Sequence, residues 1–185
     1  SNRDIALHLL LVCSSPELAG QLTAGWQWDG PHPSFITVPG LAALRARLRE
    51  QHWDAVLHCL NHAGCTPAAT LKTMHDRNLD TPLIVIAEAA DQRAAMKALR
   101  GGAHDIVFLD RLNRLPAAVE REVREAGQRA DHRAALEMLH DSEARFRALA
   151  TNLPGLVFNL QRDTQGSYRF LYVSEGCVRL LGIAQ

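Results

Sequence analysis

The sequence predicts a doubly wound α/β domain with a five-stranded parallel sheet, continued by a long helix and the opening of a smaller α+β unit. Three observations carry this. Short apolar runs alternate five times with helix-forming stretches between Ile5 and about Ala150. Each strand-to-strand crossover takes about twenty residues, which suits right-handed βαβ units and is too long for hairpins. From Pro116 to about Ala150 there is no further proline and only one glycine, Gly127, in a dense mixture of Arg and Glu with small or apolar residues.

Ile5 to Val12 (IALHLLLV) is a nearly continuous apolar run, the pattern of a strand buried on both faces. Ser14, Ser15 and Pro16 then offer a cap and a first-turn proline to a helix. The pattern recurs with Ser34 to Val38 before Leu41 to Arg49, and with Ala55 to Leu60 before Pro67 to Arg77. It continues with Leu83 to Ala87 before Asp91 to Arg100, and Asp105 to Leu109 before a helix from about Leu115. Asp80-Thr81-Pro82 turns the chain into the fourth strand, and Gly101-Gly102 stops the fourth helix.

The last helix should run for about 50 Å. Val119, Val123, Ala126 and Ala130 follow 4-3-4 spacing, and after a slip near Asp131 to Ala134 so do Ala135, Leu139, Ser142 and Phe146. Such a seam predicts a coiled coil and a homodimer joined through this helix. The competing reading of the same residues is that the first half packs on its own sheet and the rest is a solvated helix.

After Asn152-Leu153-Pro154-Gly155 the texture changes to two strands, Leu156 to Leu160 and Tyr168 to Val173, around a polar turn at Asp163 to Ser167. Tyr168, Phe170 and Tyr172 alternate and are expected to share a face. Ser174 to Gly182 reads as a short helix with Cys177, Leu180 and Leu181 inward. Two strands and a helix cannot bury a full core, so this segment is expected to be part of a larger unit or to rely on a partner.

Composition narrows the function. Of 185 residues 47% are apolar, but no run is long enough to cross a bilayer. Twenty basic and twenty acidic residues balance, which gives no electrostatic reason to expect nucleic acid or an anionic membrane as partner. Cys13, Cys59, Cys65 and Cys177 are not spaced as a disulfide scaffold, so reduced thiols in a cytoplasmic protein are expected.

The blocks HLLLVCSSPELA, WDAVLHCLNHAG, TPLIVIA and LRGGAHDIVFLDRLNRL stand in the order and spacing of the bacterial response-regulator receiver family, which the chain resembles from about Ile5 to Arg129. SEARFRALATNLPGLVFNL and SYRFLYVSEGCVRLLGI resemble the opening of a PAS sensor domain. The resemblance implies a flavodoxin-like (βα)5 receiver fold over residues 3–129, a helical linker over 130–150, and the N-terminal part of a PAS domain over 151–185. It also implies two-component signalling and an output domain, first a cyclic-di-GMP enzyme of GGDEF or EAL type and second a histidine kinase.

The family's chemistry is missing at each matching position. Receivers hold magnesium with an acidic pair after the first strand, and here Cys13 and Ser14 stand there, with Ser15 beside them. The phosphoacceptor aspartate is matched by Cys59, the responding Ser or Thr by Ala87, and the lysine that pairs with the phosphoryl oxygens by Leu109. Magnesium wants hard oxygen ligands, and nothing here neutralises a transferring phosphoryl group. A non-catalytic, phosphorylation-independent pseudo-receiver without metal or cofactor is therefore expected. Asp54 lies at the wrong end of its strand to substitute, and Glu88 and Asp110 read as solvated loop acids.

In a flavodoxin-like strand order Cys13 and Cys59 should be near neighbours. A small-molecule or thiol-redox sensor using the emptied crevice is the alternative function. Cys59, His62 and Cys65 with Cys13 lack the closely spaced ligand pairs of a zinc site. His58 should point away from Cys59 and pack against a helix.

Overall fold

The computed structural model describes residues 6–24, 26, 31–60, 64–152 and 157–174, with the backbone alone for 151 and 152. Its first five strands are β1 (His8–Val12), β2 (Ser34–Val38), β3 (Ala55–Cys59), β4 (Leu83–Ala87) and β5 (Asp105–Phe108). They form one parallel sheet in the order β2-β1-β3-β4-β5. Every residue of β3 and β4 is buried, as the apolar run of β4 and the mostly apolar run of β3, interrupted by His58, require.

Alternation along the strands divides the core. Leu9, Leu11 and Cys13 join Ala55, Leu57 and Cys59 in the layer under α1 (Pro16–Ala24) and α5 (Leu115–Asn152). Leu10, Val12, Val56 and Val85 face the opposite layer, under α2 (Leu41–Glu50), α3 (Pro67–His75) and α4 (Gln92–Arg100). This is the doubly wound, flavodoxin-like arrangement that the sequence predicts.

Local signals start the helices where expected. The Ser15 hydroxyl accepts the Leu18 N–H at 3.2 Å before Pro16 opens α1, and Thr66 accepts the Ala69 N–H at 3.2 Å before Pro67 opens α3. Past α4, Gly102 takes a φ of 109°, a conformation that favours glycine.

Two strand ends differ from expectation. β3 stops at Cys59, although the Leu60 N–H still donates to the Ile86 carbonyl at 2.8 Å. β5 stops at Phe108, opposite Ala87, where β4 also ends; Leu109 has no residue to pair with and instead opens a 3-10 segment, Leu109–Arg114. Before α4, a 3-10 turn occupies Ala89–Asp91.

The seam expected along α5 needs correction in its first half. Val119 is fully buried and Val123 packs partly buried beside it in their own core, so neither faces a partner helix. Ala126 is half-buried, and Ala130 and all of residues 131 to 149 are exposed.

A division of the chain into two compact units falls after Ala130. In the second unit β6 (Phe158–Arg162) pairs antiparallel with β7 (Tyr168–Val173). β6 lies later than the expected Leu156 to Leu160; Leu156 and the expected helix beyond Ser174 lie outside the described residues. Asp163 Oδ1 accepts the N–H groups of Gln165 at 2.9 Å and Ser167 at 2.8 Å, and Gly166 takes a φ of 90° in the same turn.

A bulge overturns one expectation about β7. Leu160 pairs with Phe170 and Asn159 with Tyr172, which leaves Leu171 as the extra residue. Tyr168 and Phe170 therefore share a face with Phe158 and Leu160, whereas Tyr172 turns to the other face and meets Phe146 edge-on, ring centroids 5.4 Å apart.

Candidate functional site

Parallel strands deliver all their carboxyl ends to one edge of the sheet, and residues just past those ends meet there. Cys13, Ser14, Cys59, Ala87 and Leu109 line one crevice of about 60 Å³ at this edge. Leu109 reaches it from the 3-10 segment rather than from β5 itself. Ser15, Leu18, Leu60, Ile86 and Glu88 complete the lining. The space is enough for a few water-sized groups.

Cys13 and Cys59 are both buried. Burial above all, then the neighbouring Cys13 thiol, pushes the Cys59 thiol far up from its ordinary range. Cys13 Sγ also donates to the Ser15 carbonyl at 3.4 Å. Glu88 is the one carboxylate among the lining residues, it is exposed, and no lysine or arginine lines the crevice among the described residues.

Other sequence candidates are not brought together. Cys65 lies in the core layer opposite Cys59, with its thiol 3.3 Å from the Thr70 hydroxyl. His62 and Cys177 lie outside the described residues. His58 is fully buried with Nδ1 3.1 Å from the same Thr70 hydroxyl, on the face away from Cys59. Asp54 is at the far edge, where its carboxylate accepts the His8 N–H at 2.7 Å. Asp110 is exposed, 4.0 Å from Arg111.

Sequence reasoning missed a charged cluster at the base of α5. Arg121 donates to Asp105 of β5 at 2.6 Å and to Glu122 at 2.8 Å, and Glu122 is buried. The available signal was an acid adjoining the core positions Val119 and Val123, where a charge needs a partner. Among the described residues no group of three or more His, Cys, Asp or Glu is placed to hold a metal ion, and no helix is long and apolar enough to cross a membrane.

No protein-family model matches the chain, and no curated protein matches it. Solved structures do. Full-length FixJ from B. japonicum is 18% identical, with a TM-score of 0.60 over 80% of this chain and 70% of that one. NtrX from Brucella abortus is 19% identical, TM-score 0.61, over 71% of this chain and 30% of NtrX, so the match spans about a third of that protein. The signal receiver domain of an HD domain-containing protein from Pseudomonas fluorescens Pf-5 is 15% identical, TM-score 0.57, over 71% of this chain and 95% of that domain. At these identities the likeness is one of fold, and the fold of the first unit is that of receiver domains.

Proposed function

We propose that the chain is an input region of a bacterial, cytoplasmic signalling protein. Its first unit acts as a pseudo-receiver that needs no phosphorylation and catalyses nothing, α5 pairs with its copy in a second chain, and the β6–β7 hairpin begins a PAS unit. The observation that carries this is the lining of the crevice. Thiols, hydroxyls and apolar groups stand where magnesium-assisted phosphoryl transfer needs clustered carboxylates and a cation. Glu88 alone supplies one ligand of the six that magnesium prefers.

Dimerisation is supported by the exposed part of α5. A helix with no packed face gains little beyond its propensity. This one nevertheless carries Leu139 and Leu149 exposed at 58% and 66%, with Phe146, in contact with Tyr172, still 48% exposed between them. A second copy of the helix would cover that stripe. The PAS reading rests on the sequence resemblance and on an antiparallel hairpin with Phe158, Leu160, Tyr168 and Phe170 exposed on one face.

The two units would regulate an output domain of the same protein, with a GGDEF or EAL cyclic-di-GMP enzyme as first choice and a histidine kinase as second. The Pseudomonas fluorescens neighbour, whose signal receiver domain belongs to an HD domain-containing protein, offers a parallel for such a linkage. The test is NMR of the full chain with Mg²⁺ and beryllofluoride, a phosphoryl mimic. Unchanged backbone shifts are expected, and saturable shifts centred on Cys13, Cys59 and Ala87 would overturn the reading.

A thiol-redox sensor is the second reading, favoured by the contact between Cys13 and Cys59. The raised Cys59 thiol argues against it, because thiolate is the reactive form. Mass spectrometry after mild oxidation separates the two: a Cys13–Cys59 disulfide supports the redox reading, and intact thiols support the first.

A further inference from the structure

Val12 and His58 are register partners on β1 and β3, so Cys13 and Cys59, one residue further on, stand level with each other. Both belong to the same core cluster, so their side chains leave the sheet on one face. They are 3% and 5% exposed and both line the crevice, which gives a small solute a way in. Cys13 follows the end of β1 and Cys59 ends β3, so the pair is far apart in sequence and meets only through strand register.

Placement decides what such a pair can hold. Side chains that leave neighbouring strand ends level with each other and on one face can share a single ion held by two bonds. Zinc would need two further ligands, and among the described residues no third His, Cys, Asp or Glu joins a metal-holding group here. Two soft thiolates, with exposed Glu88 the one carboxylate of the lining, select monovalent copper among the common ions.

We propose that Cys13 and Cys59 form a two-coordinate site for Cu(I) at the floor of the crevice. The ion displaces both thiol protons to solvent and forms two copper–sulfur bonds, with no change in oxidation state. Thiolate is the ligand form, so binding strengthens as pH rises. The proposal rests on the crevice being free of phosphate chemistry, but copper binding and beryllofluoride binding are separate readouts, so either reading can fail alone.

The experiment is an anaerobic Cu(I) titration of the full chain against bathocuproine disulfonate, with X-ray absorption at the copper edge. One Cu(I) per chain with two sulfur neighbours is expected. Cys13→Ser and Cys59→Ser should each abolish that binding, whereas Cys65→Ser and Cys177→Ser should keep it. Failure of the native chain to compete for copper would overturn the proposal, as would undiminished binding in Cys13→Ser. Should a serine variant fail to fold, the native chain still decides: one copper with two sulfur neighbours by X-ray absorption supports the site, and three or more sulfur neighbours, or nitrogen and oxygen neighbours, refute it.

Discussion

His104 and Leu83 hold each other twice. The His104 backbone N–H donates to the Leu83 carbonyl at 2.8 Å, and the Leu83 backbone N–H donates to His104 Nδ1 at 3.1 Å. Nδ1 must then carry no proton. Burial chiefly, and the nearby Arg129 cation, lower the His104 pKa from its ordinary 6.5, against weaker upward pulls from Glu122, Asp80 and Glu125.

A pH dependence of stability follows. The unfolded chain takes up the proton more readily than the folded one, so this contribution is whole above the unfolded value of 6.5 and is lost as pH falls from there through the folded value. Urea midpoints should therefore drop as pH falls below about 6.5. His104→Asn, which keeps an acceptor near the Nδ1 position, should flatten that drop; an identical pH slope in both proteins would refute the assignment.

Arg121 ties α5 to β5 through Asp105 and shields buried Glu122. Removing it as Arg121→Ala leaves a buried carboxylate without its cation, at an expected cost of about 1–3 kcal/mol in urea denaturation. Adding Glu122→Gln should recover part of the loss. No recovery would mean that packing of the arginine stem, rather than its charge, matters.

Cys59→Asp returns one phosphorylation-type residue to the crevice without its supporting acids and lysine. It places a carboxylate at a position 5% exposed, with no lining cation to offset the burial. We expect a loss of about 1–3 kcal/mol and no beryllofluoride adduct by fluorine NMR. An adduct in this single variant would show that the other replacements matter less than argued above.

Two leucines on α5 separate folding from association. Leu115, 2% exposed in the core, should cost about 2–5 kcal/mol as Leu115→Ala. Leu139, 58% exposed, should leave unfolding of the first unit unaltered as Leu139→Glu but halve the sedimenting mass. A mass that does not change between native and Leu139→Glu chains would remove the linker reading.

Much of the architecture could be read before any coordinates because its causes are local. The apolar runs of β3 and β4, the Ser15-Pro16 and Thr66-Pro67 helix starts and the crossover lengths all act over a few residues, and strand order then brings Cys13, Cys59 and Ala87 to one edge. What stayed hidden depends on which distant partner a residue meets. A 4-3-4 spacing at Val119 and Val123 serves a home sheet as well as a foreign helix, and the neighbouring core chose the sheet. Alternation of Tyr168, Phe170 and Tyr172 carries no sign of the bulge at Leu171, which pairing with β6 imposes. Nor does any spacing make Cys13 and Cys59 level, because that relation is set by the register of two strands far apart in the chain. Periodicity reports only that a face is buried; packing decides against what.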